Sequence, residues 1–478
     1  MQITEQTAVC FFIVKIQEYG GVQMAAHVID NLLLQNSFGT EEMRAVWDEK
    51  NRLQRQLDVE RALAETEGEL NVIPKAAAAT IAAAADSSRF DLQELAAAGL
   101  TSKHSLIATI KRLQELAGDA GEFVHYGATT QDIVDTGTVL QLKEAHNIIL
   151  RDLKKLLSQV VAAAEQYKTL PMAGRTHGVQ ALPITFGFKL SILVCELGRH
   201  LERLKELEHR VFAGVLCGAV GTYASFNGKG IEIETRVMKR LGLSVPEICW
   251  HASRDRFAEY ASVLSLLSAT LGKIGHEFYT LMATEIDEVE EPFSKGTIGS
   301  STMPQKRNPA LLEGLASLAR PVFYSAALVR EAMLMEHERD AMAWRAEWIA
   351  LPETCIYVAR QLASALALFD GLQVKAGNMR KNLEVSGGLI VAEKVMFELG
   401  NFMGKQTAHE VVYELAMTAQ EQGIPFAALL KRDEKVRRCL NEQQVDALLN
   451  PANYLGEAVE KVEQALSLAK AKGWAEEA

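Results

Sequence analysis

Proline is absent from four long stretches of this 478-residue chain, and this spacing constrains the fold more than any other feature of the sequence. Proline normally breaks the interior of a helix, because it lacks the N–H that the helix needs. The proline-free stretches lie between Pro74 and Pro171, Pro183 and Pro246, Pro246 and Pro292, and Pro352 and Pro425. Each stretch is long enough for a helix of many turns.

The apolar residues in these stretches recur with helical spacing, stepping by three or four positions along one face. No segment shows the sustained alternation and hairpin turns that strands would give. The sequence therefore predicts an all-α fold. The stripes are Leu193, Leu197, Leu201, Leu204, Leu207 and Val211; Leu150, Leu153, Leu157 and Val160; and Leu264, Leu267, Leu271 and Ile274.

Composition supports this prediction and limits the kinds of partner. Apolar residues make up 48% of the chain and aromatic residues 7%, and its alanine-rich and leucine-rich character favours helix. A net charge of −11 argues against general nucleic-acid binding and suits a cytoplasmic protein, although a local basic pocket for an anion remains compatible with it. The six cysteines form no CxxC pair, so we expect buried thiols and neither a disulfide framework nor a metal site.

The chain divides into three predicted helical domains, at residues 1–128, 129–385 and 386–478. Residues 1–30 are predicted to be an extension outside the fold, with Met24 as an alternative start; their apolar run is too short to span a bilayer, and no membrane partner is expected. Loops are predicted at Leu170–Ala173, Gly214–Gly230 and Glu290–Pro304. The wide apolar faces of long helices favour an oligomer over a monomeric bundle.

Three segments carry residues suited to chemistry. The first contains Ser294, Gly296, Thr297 and then Gly299-Ser-Ser-Thr-Met-Pro-Gln-Lys-Arg-Asn-Pro309. Its glycines and serines predict a mobile loop. Taken by itself, the segment fits an ordinary linker as well as an anion-binding loop in which Lys306 and Asn308 hold a carboxylate.

The second segment runs from His125 to Asp132 and precedes a long helix. Its hydroxyls could hold an anion at the helix N-terminus, or Thr129 or Thr130 could only cap the helix. The third segment, Gly174–Pro183, places His177 between glycines. By itself such a histidine is more often a solvated surface group than a catalyst.

Together, in this order and spacing, the three segments resemble the signature regions of the fumarase/aspartase superfamily. The resemblance covers most of residues 36–440 and is most specific around Gly299–Pro309. The family implies a homotetramer whose long central helices form a twenty-helix core, with active sites that each draw on three subunits. The substrate is a small polycarboxylate, and no cofactor or metal is needed.

The resemblance also implies roles for individual residues. Ser300 matches the general base, His177 the general acid, and Glu313 the carboxylate that orients the histidine. The clamp on the aci-carboxylate matches Lys306 and Asn308, and the resemblance implies further substrate contacts at His104, His125, Thr129, Thr130, Gln131, Gln180, Arg254, Arg339 and Arg345.

The segment Lys306-Arg307-Asn308-Pro309 resembles the branch that contains adenylosuccinate lyase and 3-carboxy-cis,cis-muconate cycloisomerase. The Arg-Tyr pair that grips the phosphate in adenylosuccinate lyases corresponds here to Ser37-Phe38, and Trp344 and Trp348 replace a serine and an arginine. Because a phosphate favours bidentate arginine donors, a nucleotide substrate is not favoured. The two tryptophans could wall a smaller pocket or pack the bundle, and Arg345 could pair with a further carboxylate.

The sequence therefore predicts a lyase that performs β-elimination on a succinyl-type polycarboxylate, by C–N cleavage of an N-substituted aspartate with release of fumarate. The alternatives are the carboxymuconate cycloisomerase, adenylosuccinate lyase and a non-catalytic scaffold of the same superfamily. Retention of Ser300, His177, Lys306 and Glu313 together weighs against the scaffold.

Overall fold

The computed structural model describes residues 26–293, 296 and 299–475. Most of the predicted extension, and Ser294 and Thr297 of the first segment, lie outside the described residues. The part before residue 129 contains short helices around one longer helix. They are α1 (Gln35–Phe38), α2 (Glu41–Val46), α3 (Glu49–Glu69), α4 (Lys75–Ala84), α5 (Leu92–Ser102) and α6 (Ser105–Ala117).

The middle of the chain carries the long helices, as the proline spacing predicts. The elements are α7 (Thr130–Gln166), β1 (Pro171–Thr176), β2 (Val179–Thr185), α8 (Phe186–Glu206), α9 (Glu208–Val211), α10 (Gly230–Leu241), α11 (Asp255–Leu281), β3 (Val289–Glu290), α12 (Ala310–Ser317), α13 (Ala319–Glu331), α14 (Ala341–Gly371), β4 (Gln373–Val374) and α15 (Ala376–Glu384). Helix α7 packs against α3, α8 and α14, and α11 packs against α13 and α14.

The predicted apolar stripes form the core of this bundle. Leu197, Leu201 and Leu204 on α8 are fully buried, as are Leu264 and Leu271 on α11. The first stripe is divided between two helices, because α8 ends at Glu206 and the short α9 carries Val211. Helix α14 continues through Pro352, where the carbonyl of Trp348 receives no N–H from the proline.

The last part of the described chain is a set of shorter helices. They are α16 (Ala392–Met403), α17 (Lys405–Gln422), α18 (Phe426–Arg432), α19 (Glu434–Arg437), α20 (Glu442–Leu448) and α21 (Ala458–Ala471). The breaks after α17 and α20 lie near Pro425 and Pro451, where proline disfavours a continuous helix. No helix in residues 26–293 or 299–475 is long and apolar enough to cross a membrane.

The all-α prediction is confirmed, with one local correction. The segment Leu170–Ala173 is not a loop, because Pro171–Thr176 and Val179–Thr185 pair as an antiparallel hairpin. The hairpin was missed because Ala173-Gly174 and Leu182-Pro183 do not alternate in polarity. The other two predicted loops are confirmed: Gly214–Gly230 is irregular apart from a short turn at Ala224–Phe226, and so are the described residues of Glu290–Pro304. The division into three domains stays a prediction.

Candidate active site

The N-terminus of α7 begins at a threonine cap, in the segment predicted to bind an anion. The N–H of Thr129 donates to Oδ2 of Asp132 at 2.9 Å, which closes the first turn. A helix N-terminus presents unpaired N–H groups and the positive end of the helix dipole. Thr129 and Thr130 are both half-buried at this point, so their hydroxyls lie where a carboxylate would be attracted.

Asp132 ties a second segment beneath this helix start. Its Oδ1 accepts from the N–H of Cys217 at 3.0 Å and its Oδ2 from the N–H of Gly218 at 3.0 Å. The ring Nε2 of His251 lies 2.9 Å from the same Oδ1. Because Asp132 is fully buried, these contacts fix the loop at residues 214–221 against α7.

Two further predicted residues lie at the same helix end. The guanidinium of Arg339 donates to the hydroxyl of Thr129 at 3.0 Å and to the carbonyl of Ala219 at 2.7 Å. The ring Nε2 of His104 lies 3.5 Å from the hydroxyl of Thr130. The structure thus brings His104, Thr129, Thr130 and Arg339 together, as a cation and hydroxyls around a helix N-terminus.

His125 lies just before this helix and is held by a buried carboxylate. Its Nδ1 is 2.6 Å from Oε1 of Glu60 on α3. Burial lowers the pKa of His125, but the charge of Glu60 and the hydrogen bond to it outweigh burial and raise the pKa overall. About two helical turns further along α3, burial raises the pKa of Glu67 to about 9, and the charge of Glu60 adds to this rise. Both Glu67 carboxyl oxygens are buried without a hydrogen-bond partner in the described residues.

His177 is at the tip of the β1–β2 hairpin. Thr176 and Val179 are the last paired residues, and His177 and Gly178 have φ values of 54° and 79°. Two residues with positive φ form the tight turn that matches the twist of a hairpin. The hairpin therefore presents an exposed imidazole at a fixed, two-residue turn.

The hairpin is anchored by an ion pair close to its turn. The guanidinium of Arg175 makes two hydrogen bonds, of 2.9 and 2.7 Å, to the carboxylate of the buried Glu288. Asn382 on α15 donates to the same carboxylate at 2.9 Å. Gln180, opposite Arg175, is half-buried, and its Oε1 has no partner in the described residues.

Ser300 lies near the start of the loop that carries the most specific motif. Its Oγ is 3.3 Å from the N–H of Thr302 and 3.1 Å from the N–H of Met303, which both donate to it. Two backbone N–H dipoles stabilise negative charge on this oxygen. Gly299 is required beside it, because a Cβ there would overlap the carbonyl oxygen of Lys306.

Both ends of this loop are fixed to the bundle. Arg307 donates to Oε1 of Glu290 at 2.5 Å. Glu291 accepts from the N–H groups of Leu311 and Leu312, at 3.3 and 3.1 Å, and so caps α12. The described residues between these anchors are half-buried or exposed. The structure thus shows a surface loop with pinned ends.

The predicted clamp residues line an open cavity of about 810 Å³. Lys306, Asn308 and Lys375 contribute to its wall. Glu313, one turn into α12, is exposed. Among the described residues, no hydrogen bond or ion pair joins His177 to Ser300 or Glu313.

Two predicted substrate contacts lie in the interior. Arg254 is fully buried, where it donates to Asp135 at 2.7 and 3.1 Å and pairs with Glu347. Burial raises the pKa of Glu347 to about 7 even beside this guanidinium. Gln131 is also buried, and its amide donates to Asp135 and to the carbonyl of His251. The N–H donors of Arg254 and Gln131 bond to other groups of the protein, so we do not include these two residues among the proposed substrate contacts.

The tryptophans differ in burial. Trp344 is 8% exposed and donates to Oδ1 of Asp135 at 2.8 Å, which favours the bundle-packing interpretation for this residue. Trp348 is half-buried, 4.9 Å from Trp344 between ring centroids, with the guanidinium of Arg52 over its ring. Arg345, between them, is exposed.

The structure also brings together a group that the sequence interpretation missed. Sγ of Cys217, Sγ of Cys249 and a ring nitrogen of His251 lie within 4.8 Å of one another, and these are donor types that could hold a metal. The absence of a metal site stays a prediction, because a cluster of donor types does not by itself show a bound ion. The signal available in the sequence was the Cys249-Trp-His251 triplet, but Cys217 precedes it by 32 residues.

Comparison with known proteins gives one consistent result. A family described as "Lyase" matches residues 36–323, and one described as "Adenylosuccinate lyase C-terminus" matches residues 388–465. The N-acetyl-S-(2-succino)cysteine lyase of Enterococcus italicus is 56% identical over 95% of this chain and 100% of its own length. The protein of that name in Dickeya dadantii is 54% identical over 94% and 99%.

A solved structure, the 3-carboxy-cis,cis-muconate lactonizing enzyme of Pseudomonas putida, superposes with a TM-score of 0.88. It is 36% identical and covers 93% of this chain and 100% of its own.

Proposed function

Because the chain belongs to the lyases of the fumarase/aspartase superfamily, we propose that it cleaves the C–S bond of an S-(2-succino) thioether and releases fumarate. The substrate class is an S-(2-succino) adduct of a small thiol such as N-acetylcysteine. The observation that carries the proposal is the match of 56% and 54%, over almost the whole chain, to two lyases of that name. The proposal replaces the C–N bond predicted from the sequence with a C–S bond and retains the elimination of fumarate.

The proposed reaction begins at the carbon next to a carboxylate. Ser300 Oγ, as the alkoxide, removes the proton from that carbon. The N–H groups of Thr302 and Met303 stabilise the negative charge of Oγ before the proton is removed. Lys306 and Asn308 stabilise the dianion that forms on the carboxylate. Thr129 and Thr130, with Arg339, hold a carboxylate at the N-terminus of α7.

A thiol leaving group reduces the demand on the general acid. A thiol has a pKa of about 8.5 and can leave as a thiolate, whereas a neutral amine leaves only after gaining a proton. In this proposal His177 donates a hydrogen bond or a proton to the departing sulfur, and Glu313 orients the imidazole. Ser37 and Phe38 offer no cationic donor for a phosphate, and the guanidinium of nearby Arg44 is bonded to the carbonyls of residues 35 and 39, which favours a small S-(2-succino) thioether over a nucleotide.

The proposed active form is a homotetramer in which three subunits complete each site. Two observations support it. His177, Ser300 and Glu313 are not joined within the described part of one chain. The long helices also expose large apolar side chains, including Ile192 on α8, Leu266 on α11 and Ile349 on α14. Pairing these faces between subunits removes apolar surface from water.

The proposal is tested by supplying three substrates to the purified protein. N-acetyl-S-(2-succino)cysteine, adenylosuccinate and carboxymuconate are incubated separately, and fumarate and free thiol are measured. We expect equal amounts of fumarate and thiol from the first substrate only. Turnover of adenylosuccinate or carboxymuconate in preference to it contradicts the C–S assignment, and no turnover of any of them supports the non-catalytic scaffold.

A further inference from the structure

Two cysteines that are distant in sequence meet below the substrate-binding end of α7. Sγ of Cys217 lies 2.9 Å from Sγ of Cys249. Cys217 is fully buried, whereas Cys249 is half-buried. A small oxidant can therefore reach Sγ of Cys249, and Sγ of Cys217 lies directly beside it.

The pair lies next to a charged histidine. Nε2 of His251 is 2.9 Å from Oδ1 of Asp132, and Sγ of Cys217 is 3.7 Å from the same oxygen. Burial lowers the pKa of His251, but its bonds to Asp132 and Cys249 outweigh burial and raise the pKa to about 9. A protonated imidazole beside the two sulfurs favours a thiolate there.

The two sulfurs differ in protonation. The hydrogen bond from Cys217, together with the hydrogen bonds and charge of His251, lowers the pKa of Cys249 to about 5 against the effect of burial. The same hydrogen bond and burial raise the pKa of Cys217. At neutral pH the accessible sulfur is the thiolate and the buried sulfur is the thiol.

We propose that Cys217 and Cys249 are an oxidisable pair that forms a reversible disulfide when a hydroperoxide reaches Cys249. The thiolate of Cys249 attacks one oxygen of hydrogen peroxide, the O–O bond breaks, and hydroxide leaves as a sulfenic acid forms on Cys249. Cys217 then attacks this sulfur, its proton passes to the departing oxygen, and water leaves as the S–S bond forms. One peroxide is reduced and two sulfurs are oxidised.

The donor set favours a disulfide over a closed metal centre. Structural zinc takes four protein ligands, whereas the described residues bring three donors together here, and Nε2 of His251 already contacts Asp132. The distance between the two sulfurs does not separate the two possibilities. The 2.9 Å contact would shorten by about 0.9 Å to form a disulfide, and it would lengthen by about 0.8 Å to hold a zinc ion between thiolates about 3.7 Å apart.

Closing the disulfide would affect the substrate-binding end of α7. The N–H of Cys217 is bonded to Asp132, and the carbonyl of Ala219 two residues later is bonded to Arg339. Arg339 in turn donates to Thr129. A shift of the loop on oxidation therefore reaches Arg339 and the hydroxyl of Thr129, and we expect slower turnover in the oxidised form.

The chemical test does not depend on activity. The reduced full-length protein is treated with hydrogen peroxide, its free thiols are blocked with N-ethylmaleimide in denaturant, and mass spectrometry is used for intact mass and peptide mapping. We expect the number of alkylated cysteines to fall from six to four, with one cross-link joining the peptides of Cys217 and Cys249. Dithiothreitol should restore all six.

Variants and metal analysis complete the test. Cys217→Ser and Cys249→Ser should each remove the cross-link, whereas the control Cys439→Ser should retain it. A peroxide-treated wild-type protein without the cross-link, or stoichiometric zinc bound through these cysteines, overturns the proposal. The peptide map of the wild type decides the question even if the serine variants do not fold.

The effect on turnover rests on the proposed function and is measured separately. With N-acetyl-S-(2-succino)cysteine, oxidation should lower kcat/KM by roughly threefold or more, reversibly, because small displacements at a site are costly. A cross-link without any change in turnover contradicts the coupling to Arg339. Absence of turnover in the reduced protein contradicts the proposed function and leaves the disulfide result to stand alone.

Discussion

The guanidinium of Arg339 donates a 3.0 Å hydrogen bond to the hydroxyl of Thr129, although the two residues are 210 positions apart in the chain. This bond places a permanent positive charge at the N-terminus of α7. A substrate carboxylate there meets a guanidinium, a helix dipole and hydroxyl donors at once.

Replacing Arg339 by alanine should therefore weaken substrate binding more than it slows chemistry. We expect KM for N-acetyl-S-(2-succino)cysteine to rise by about tenfold or more, since hydrogen bonds to charged groups contribute about 1.5–3 kcal/mol. Steady-state kinetics measure the change. The control is Arg330→Ala, an exposed arginine on α13 whose guanidinium makes only a 3.4 Å contact with Ser262. Equal KM values in the two variants contradict the assignment.

Ser300→Ala should abolish most turnover without unfolding the protein. The loss of a general base typically lowers kcat by about 10²- to 10⁴-fold. The matched control is Ser301→Ala, which changes the neighbouring exposed serine and should cost less than about tenfold by the same standard. Circular dichroism checks the fold. Full activity in Ser300→Ala rules out this serine as the base.

His177→Asn separates the hairpin turn from the proton donor. Asparagine before Gly178 is favoured in a two-residue hairpin turn, so the fold should be retained. We expect kcat for an S-(2-succino) thioether of an alkyl thiol to fall by about 10²-fold. For an S-aryl analogue, whose thiolate leaves more readily, the loss should be smaller. The same loss for both leaving groups argues against a role for His177 at the sulfur.

Arg254→Ala should destabilise the protein strongly. It leaves Asp135 and Glu347 buried without their cation, and removing one partner of a buried ion pair costs about 3–5 kcal/mol. Chemical denaturation measures this loss. The control Arg236→Ala breaks an exposed pair with Glu232 and should cost less than about 1 kcal/mol. Unchanged stability with a raised KM would instead restore Arg254 to the substrate-binding set.

The pH dependence of stability should contain a contribution from Glu67. The folded pKa is about 9 and the unfolded pKa is near 4.5, so the folded state binds one more proton between these values. The free energy of unfolding should therefore fall as pH rises through this window, by up to about 1.4 kcal/mol per pH unit.

Glu67→Gln removes this dependence. Its melting temperature should exceed that of the wild type at pH 8 by more than it does at pH 5. The control is Glu65→Gln, at a half-buried glutamate on α3 that pairs with Arg240. Parallel pH profiles of wild type and Glu67→Gln contradict the raised pKa.

Much of the fold could be predicted because a helix is specified by residues that are close together in the sequence. Proline gaps and three- or four-residue spacing gave the long helices, and Leu197 and Leu264 are buried as those patterns predicted. The β1–β2 hairpin could not be predicted in this way, because its turn depends on the positive φ of His177, and no polarity pattern in the sequence indicates that conformation.

The candidate site likewise contains some residues that could be predicted from the sequence and others that could not. His104, Thr129, Thr130 and Arg339 could be grouped through the family resemblance, and the structure places them together. The burial of Arg254 could not be predicted, since its partners Asp135 and Glu347 lie 119 and 93 residues away. Cys217 and Cys249 meet for the same reason, through contacts that only the folded chain creates.

The ion pair of Arg175 with Glu288 has a consequence for communication within the proposed tetramer. Glu288 is two residues before Glu290, which anchors the Ser300 loop, and Arg175 is two residues before His177. In such an assembly the hairpin and the loop of one subunit serve different active sites. If the proposed tetramer forms, a displacement of the loop at one site would act through this ion pair on His177 at another, which would give the four sites a route to cooperative turnover.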